Sequence, residues 1–291
     1  MRSSFVLIFV SFYFFSNAQT KNDDTGKSID FLLYMAGTHQ TNECNFYGEQ
    51  LLNDTTLSIE SKDSISFLLG EINLRNKNTG KAYNYFRRVS GASLFYYKSQ
   101  FTSAMLDVDD KRYDTATVHL QQMEVDSNSI LVKELKDFEI AGLSLLTNDH
   151  ATFDSLSKQF NSSDTLLQSE QQTLQLNALQ LRLVKKKSAL VAGLLSAVIP
   201  GLGKVYTGNN GQALAAFLRV VPMGIIALEN YQHSGFKDAQ FITFASLFSI
   251  FYIGNIWGSA LSVQITKNEK INEIHHNISV GLHIPVQRFF R

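Results

Sequence analysis

The sequence predicts an all-α protein in two parts: a helical solenoid, then an α-helical membrane domain of two spans plus a re-entrant or interfacial helix. Three observations lead to this fold class. Residues 19–199 contain no proline and repeat apolar residues at three- and four-residue steps. A spacing of 34 residues recurs within that segment. All three prolines, 10 of the 17 glycines and the longest uncharged run lie from Ser188 onward.

Residues 1–18 have the pattern of a signal peptide. Arg2 precedes an uncharged, apolar run over residues 5–15, and Ser16 and Ala18 supply the small residues of a cleavage site. This run is short for a transmembrane helix of ~20 residues. We expect cleavage after Ala18 and export of the chain, with a buried helix or an uncleaved anchor as the alternatives.

The 34-residue spacing is shared by three series of residues. Small residues are needed where two helices of a pair approach closely, and a larger apolar residue four positions later fills the gap beside them. The series are Ala36, Gly70 and Ala104; Gly48, Ala82 and Ala116; and Leu52, Phe86 and Leu120. Such a fixed period is typical of stacked helix pairs.

Leu69-Gly70, Ala82 and Phe86 resemble the tetratricopeptide repeat, which places Leu-Gly, then Ala twelve residues on, then an aromatic residue four further. The units around Ala36 and Ala104 match more loosely, and a fourth unit over residues 131–160 has lost the period. We expect tetratricopeptide-like repeats over residues 19–184. A generic helical bundle with a chance spacing is the alternative.

The resemblance implies a binding face for a protein or peptide partner. Stacked helix pairs form a curved solenoid whose concave surface binds such ligands. In the repeat family the concave positions lie on the first helix of each pair; ordinary solvated surface is the alternative. These positions are Phe67, Glu71, Arg75, Lys98, Phe101 and Met105.

Three apolar runs predict the membrane domain. Residues 239–266 are 28 consecutive residues without charge, enough to cross a hydrocarbon core of ~30 Å at ~1.5 Å per residue. Residues 212–228 form a second span that carries Arg219, whose charge must snorkel, pair or face a polar cavity. Residues 188–199 are too few to cross and fit a re-entrant or interfacial helix. Gly254 and Gly258 form a G-x-x-x-G that permits contact with the preceding segment or formation of a homo-oligomer.

A glycine-rich signature lies between the first two runs. It consists of Pro200, Gly201, Gly203, Tyr206, Gly208 and Gly211. It resembles the PGxGxxYxG signature of small two-transmembrane-helix domains. More closely, it is similar to a bacterial family of uncharacterised function that joins a signal peptide and tetratricopeptide repeats to this domain. The resemblance covers residues 185–270 and implies membrane lipid as a contact. Tyr206 can anchor at headgroup depth, and the glycines allow turns and close packing.

Composition and motifs argue against other classes of protein. The 26 Lys and Arg balance 26 Asp and Glu, so no basic excess points to nucleic acid. The single cysteine, Cys44, excludes a disulfide framework within the chain and a zinc site of several thiolates. No strand or Gly-Lys-Ser/Thr accompanies Gly201-Leu202-Gly203 as a phosphate loop requires, and no G-x-S-x-G or H-E-x-x-H motif occurs. We expect no enzyme, no cofactor and no metal.

Residues 271–291 form the predicted tail. Ile278, Val280, Leu282, Ile284 and Val286 alternate as in a β-strand. The leading function is a membrane-anchored envelope scaffold whose repeats hold a partner. The alternative is a lipid-binding or pore-forming membrane domain, with Arg219 functional and the repeats regulatory.

The expected location is the bacterial inner membrane with the repeats on the periplasmic side. Lysines 185–187 then lie outside, against the positive-inside rule. Three explanations are open: these lysines contact anionic headgroups, the first run is re-entrant, or the signal peptide is absent. Two spans return the tail to the side of the repeats, whereas three place it opposite; we favour two.

Overall fold

The computed structural model describes residues 23–38, 40–184 and 187–290, and within these ranges every regular element is an α-helix. The all-α class is thus confirmed for the described part of the chain, whereas the predicted signal peptide lies outside the described residues. The helices are α1 (Asp23–Gly37), α2 (Thr41–Asn53), α3 (Ile59–Arg75), α4 (Thr79–Arg87), α5 (Tyr96–Asp109), α6 (Tyr113–Gln122), α7 (Ile130–Leu146), α8 (His150–Ser157), α9 (Thr165–Val184), α10 (Ala189–Val198), α11 (Leu202–Thr207), α12 (Asn210–Ser234) and α13 (Ala239–Phe289).

Two compact units divide the chain. The first unit contains the described residues up to Ser169 together with those from Leu282 on, and the second unit contains Glu170–Gly281. Helix α9 therefore begins in the first unit, and helix α13 ends there. The domain boundaries predicted at residues 185 and 271 fall inside the second unit.

In the first unit each helix from α1 to α7 packs against the next helix along the chain. Small residues make this close approach possible. A Cβ added at Gly48 would lie 2.6 Å from Leu69 Cδ1, and one added at Gly70 would lie 2.6 Å from Phe86 Cε1. Because real Cβ contacts are never that short, Leu69 and Phe86 occupy space that only a glycine opposite leaves free. Phe86 is fully buried as a result.

One turn geometry recurs between the paired helices of the first unit. Lys77, Lys111 and Asn148 follow α3, α5 and α7 with φ angles of 60°, 60° and 62°. In each turn the next residue donates its N–H to a carbonyl five residues back, which is the Schellman arrangement. The spacing is 34 residues from Lys77 to Lys111 and 37 from Lys111 to Asn148. A fourth helix pair is therefore present, but three extra residues displace it from the period.

Helices α12 and α13 dominate the second unit. In the described part of the chain they are the two helices long and apolar enough to cross a membrane. Only 22% and 6% of their most apolar windows are buried. Their large apolar side chains, such as Leu214, Ile225, Ile253 and Trp257, therefore point away from the protein. Helix α10 is apolar but has only 10 residues, about 15 Å of rise, which is too short to cross.

The structure corrects the strand predicted over residues 278–286, because these residues continue helix α13. Their alternation contains a four-residue series, and residues four apart share one face of a helix. Ile278, Leu282 and Val286 belong to this series and are buried, whereas Val280 between them is 48% exposed. A pattern of every second residue therefore did not distinguish a strand from the buried stripe of a helix.

Candidate functional site

Helices α3 and α5 bring three of the predicted partner-binding residues together. The Phe67 ring stacks on Phe95 with centroids 4.4 Å apart. Lys98 Nζ lies 5.2 Å from the centroid of the Phe67 ring and 3.3 Å from Glu71 Oε1. Phe67 is buried, whereas Glu71 and Lys98 are partly exposed. The ammonium group is thus held between an aromatic face and a carboxylate, and an acidic ligand would compete with Glu71 for it.

The other three predicted residues differ in exposure. Arg75 lies at the exposed end of α3. Phe101 and Met105 are buried, and the Phe101 ring lies 5.6 Å from the ring of Phe290 at the end of the chain. Phe101 and Met105 are therefore not available to a partner in this structure, in contrast to the prediction. Their apolar character serves the core of the first unit.

The last turns of helix α13 contact other helices of the first unit. A Cβ at Gly142 of α7 would overlap the side chain of Leu282, so the glycine makes room for that side chain. His283 Nε2 lies 3.2 Å from Asp109 Oδ1, an ion pair when the imidazole is protonated. With the Phe101–Phe290 contact, these pairs fix the last turns of the chain on helices α5 and α7.

In the second unit, Pro200 and Gly201 form the turn between α10 and α11. Leu202 donates its N–H to the Ile199 carbonyl at 3.0 Å, and Gly201 has φ 90° and ψ −14°. These are the features of a type II turn, with Pro at the first central position and Gly at the second. A Cβ at Gly201 would also overlap the Ala213 carbonyl. Glycine is required at 201 for both reasons.

Gly203 and Gly208 fix the short helix α11, whereas Gly211 has no comparable role. A Cβ at Gly203 would overlap the Ala192 carbonyl oxygen, so α10 and α11 approach backbone to backbone. Gly208 ends α11 with φ 95°, and Asn209 donates its N–H to the Lys204 carbonyl to close a Schellman turn. Nothing in the described chain lies within 4 Å of a Cβ at Gly211.

A row of polar residues on α13 binds this turn region. The row, called here the polar row, alternates three- and four-residue steps and so lies on one helix face. Asn255 Oδ1 accepts the Gly201 N–H at 3.2 Å. Ser259 Oγ accepts from Ser196 Oγ at 2.7 Å, and Ser196 accepts the Gly203 N–H at 2.9 Å. The members of the row are Tyr252, Asn255, Ser259, Ser262 and Thr266.

Tyr206 fastens the start of α10. Its hydroxyl accepts the Ser188 N–H at 3.3 Å, and its carbonyl accepts from Lys187 Nζ at 2.8 Å. Lys187 Nζ also lies 5.7 Å from the centroid of the Tyr206 ring. The hydroxyl of Tyr206 therefore has a partner within the protein; its placement at headgroup depth stays a prediction.

Two other predicted features lie on the apolar helices α12 and α13. The guanidinium carbon of Arg219 lies 5.8 Å from the centroid of the Phe251 ring, within the range of a cation–π contact. Nothing among the described residues lies within 4 Å of a Cβ at Gly254 or Gly258. Their G-x-x-x-G makes no close contact with the preceding segment there, and an oligomer contact stays a prediction.

A cavity of about 330 Å³ lies within the second unit beside the end of the polar row. Three lysines and one glutamate line it, which gives the lining a formal charge of +2. Apolar side chains of α9 and α13, two threonines and the amides Gln180 and Asn277 complete the lining. The lining includes Lys187, Lys267, Lys270, Glu273, Thr207, Thr266, Leu183, Val184, Val263 and Ile274.

Comparison of the chain with protein-family models, curated proteins and solved structures finds no match. Within the described ranges, no group of three or more His, Cys, Asp or Glu is placed to hold a metal ion. The polar row and the lysines of the cavity were not predicted as site residues. The alternating three- and four-residue spacing of polar residues inside an uncharged run was the sequence signal for the row.

Proposed function

We propose that the chain is a membrane-anchored adaptor of the bacterial envelope. Its first unit binds a protein or peptide partner, and helices α12 and α13 hold it in the membrane. The observation that carries the proposal is the exposure of these two apolar helices, whose most apolar windows are only 22% and 6% buried. A large apolar surface that protein does not cover needs an apolar surrounding, which a bilayer provides.

The contacts of the residues from Leu282 on support two crossings of the membrane. The first unit includes both the residues up to Ser169 and those from Leu282 on, and a compact unit lies on one side of a membrane. The chain between these parts must then cross an even number of times. Helices α12 and α13 supply two crossings, and the shorter α10 is the re-entrant or interfacial helix.

The proposed orientation has the first unit on the periplasmic side, as the predicted signal peptide implies. Lys267 and Lys270, which follow the uncharged run of α13, oppose this under the positive-inside rule. Lys187, at the start of α10, adds to the same charge. Contact of these lysines with anionic headgroups stabilises their charge on the periplasmic side, so the proposed orientation and the position of the lysines are compatible.

The resemblance to tetratricopeptide repeats supports partner binding by the first unit. The accessible part of the predicted face is the group formed by Glu71, Lys98 and the exposed Arg75. These side chains lie on α3 and α5, the first helices of two successive pairs. Their excess positive charge favours a partner segment that carries carboxylates.

The test inserts a photo-crosslinking phenylalanine derivative at Arg75 in the full chain, expressed in cells. The control carries it at Lys158, which is exposed at the end of α8. We expect a defined adduct from position 75, none from position 158, and its loss on Lys98→Glu. The chain should stay in membranes through alkaline extraction. Equal adducts at both positions, or release of the chain by alkali, would count against the adaptor.

The basic cavity favours a second function, in which the membrane domain itself binds lipid or forms an oligomer and the repeats regulate it. Arg219→Leu separates the two functions. An adaptor keeps its adduct at position 75 in this variant, whereas a working membrane domain loses lipid binding or conductance. Loss of the adduct with lipid binding unchanged would contradict the second function.

A further inference from the structure

We infer that the cavity of the second unit is a phosphate-binding site, and that its ligand is the headgroup of an anionic phospholipid. Lys267 and Lys270 lie one turn apart on α13 and line the cavity together with Lys187. Three ammonium groups around one cavity are an arrangement for a phosphate, which Lys binds as a point charge.

The cations of the cavity have free capacity for such a ligand. Lys187 donates one of its three N–H groups to the Tyr206 carbonyl and keeps two. Within the described residues, Lys267 and Lys270 form no ion pair with a carboxylate. Thr266 Oγ1 accepts from Asn209 Nδ2 at 2.8 Å and retains its own O–H for donation. The lining thus offers donors and positive charge that the protein leaves unused.

The shape of the cavity favours a lipid over a free ion. Its volume of about 330 Å³ is large for one phosphate and suits a headgroup with part of its glycerol backbone. Leu183, Val263 and Ile274 form an apolar wall, which an inorganic ion would not need. A phosphodiester joined to acyl chains satisfies both surfaces.

The position along α13 places the cavity at headgroup depth. Lys267 is the first charge after 28 uncharged residues, which rise about 42 Å as a helix. That length matches a bilayer of ~40–45 Å including headgroups. This step rests on the membrane attachment proposed above, whereas the phosphate chemistry of the cavity is independent of it.

The test uses the full chain purified in an uncharged detergent. Native mass spectrometry counts bound phosphatidylglycerol and phosphatidylcholine, and calorimetric titration measures inorganic phosphate and glycerol 3-phosphate. The variant Lys267→Gln/Lys270→Gln removes two charges from the cavity. The matched control, Lys204→Gln/Lys237→Gln, removes two charges from the same unit at residues that do not line the cavity. Lys267→Arg/Lys270→Arg keeps the charge, and circular dichroism checks the fold of each variant.

We expect preferential binding of phosphatidylglycerol, weakened on the order of tenfold by the cavity variant and retained by the control and the arginine variant. Binding of the soluble phosphates with the same pattern across the variants, without preference for phosphatidylglycerol, would support the phosphate site but overturn its assignment to a lipid. Binding that is absent, or that both double variants weaken equally, would overturn the site.

Membrane attachment is measured separately, by alkaline extraction of the same variants. A chain that stays in membranes but shows no cavity-dependent phosphate binding refutes the site and leaves the anchor standing. A chain that alkali releases, yet binds soluble phosphate through Lys267 and Lys270, refutes the anchor and leaves the site standing. The two failures are therefore distinguishable.

Discussion

Glu139 of helix α7 carries a carboxyl group into the interior of the first unit. It is fully buried, and neither carboxyl oxygen has a hydrogen-bond partner among the described residues. Burial raises the pKa of this carboxyl well above its ordinary value. Below about pH 4.3 the folded and unfolded chains both hold the proton. Above that pH only the unfolded chain releases it, so stability falls with rising pH until the raised pKa is reached.

Glu139→Gln should remove this pH dependence. The free energy of unfolding of the variant relative to wild type should rise by about 1.4 kcal/mol per pH unit between the two pKa values. Urea unfolding at several pH values, followed by circular dichroism, measures it. Glu60→Gln, exposed in the first turn of α3, is the control and should show no such trend. If the difference in free energy of unfolding between Glu139→Gln and wild type did not change with pH, the carboxyl would ionise in the folded chain as it does in the unfolded chain, and the prediction would be wrong.

Gly203 and Gly211 belong to the same signature but should respond differently to alanine. A Cβ at Gly203 overlaps a backbone carbonyl, which cannot rotate away, so Gly203→Ala must separate α10 from α11. We expect the free energy of unfolding to fall by about 2 kcal/mol. Gly211→Ala adds a methyl group in open space within α12 and should be neutral or stabilise by about 0.5–1 kcal/mol. Thermal unfolding, followed through the fluorescence of Trp257, compares the two; equal effects would contradict the packing argument.

At the scale of the elements, the repeated turn after α3, α5 and α7 places side chains in a left-handed conformation. Lys111 has φ 60°, which only glycine adopts without strain. Lys111→Gly should therefore stabilise the first unit by about 1 kcal/mol. Lys81→Gly, at an exposed position inside α4, is the control and should destabilise by about 1 kcal/mol. Urea midpoints of the two variants on opposite sides of wild type would confirm the turn geometry.

The helices of the first unit could be predicted where their residues kept the period. Gly70 and Phe86 are in contact, as the spacing of small and large residues required. The fourth unit was predicted without its register, because a fixed period cannot show a shift from 34 to 37 residues. Ala141, which is buried, continues the series of Ala36, Gly70 and Ala104 at the longer step. The turn residue Asn148 is what reveals the shift.

The candidate sites were harder to predict, for physical reasons. Phe101 was assigned to a partner because sequence periodicity does not tell whether a partner or another part of the same chain covers an apolar side chain. In the structure the ring of Phe290, 189 residues further along the chain, lies against Phe101. The turn glycines were predicted because a positive φ is strained for most other residues. The cavity was missed because its lysines come from segments about 80 residues apart, and only the folded chain brings them together.

At the scale of the whole molecule, we expect the single cysteine to be unreactive in the folded chain. Cys44 is fully buried and donates its thiol to the Leu32 carbonyl at 3.4 Å. Burial raises the pKa of the thiol to about 11, so the reactive thiolate is scarce at neutral pH. The wild-type chain should therefore react with a maleimide only in denaturant. Because Cys44 does not react in the folded chain, the wild-type sequence is a suitable background for cysteines introduced elsewhere.

The two crossings proposed above predict how three introduced cysteines will react. Leu94→Cys lies in the loop after α4 and is 95% exposed before substitution, Gln287→Cys lies near the end of α13, and Phe236→Cys lies between α12 and α13. An impermeant maleimide applied to intact spheroplasts should label the first two and not the third, which should react only after lysis. Label on the third alone would keep the two crossings but turn the first unit to the cytoplasm, as the positive-inside rule favours. Label on all three from one side would mean that α12 and α13 do not cross, and the membrane anchor would fail with them.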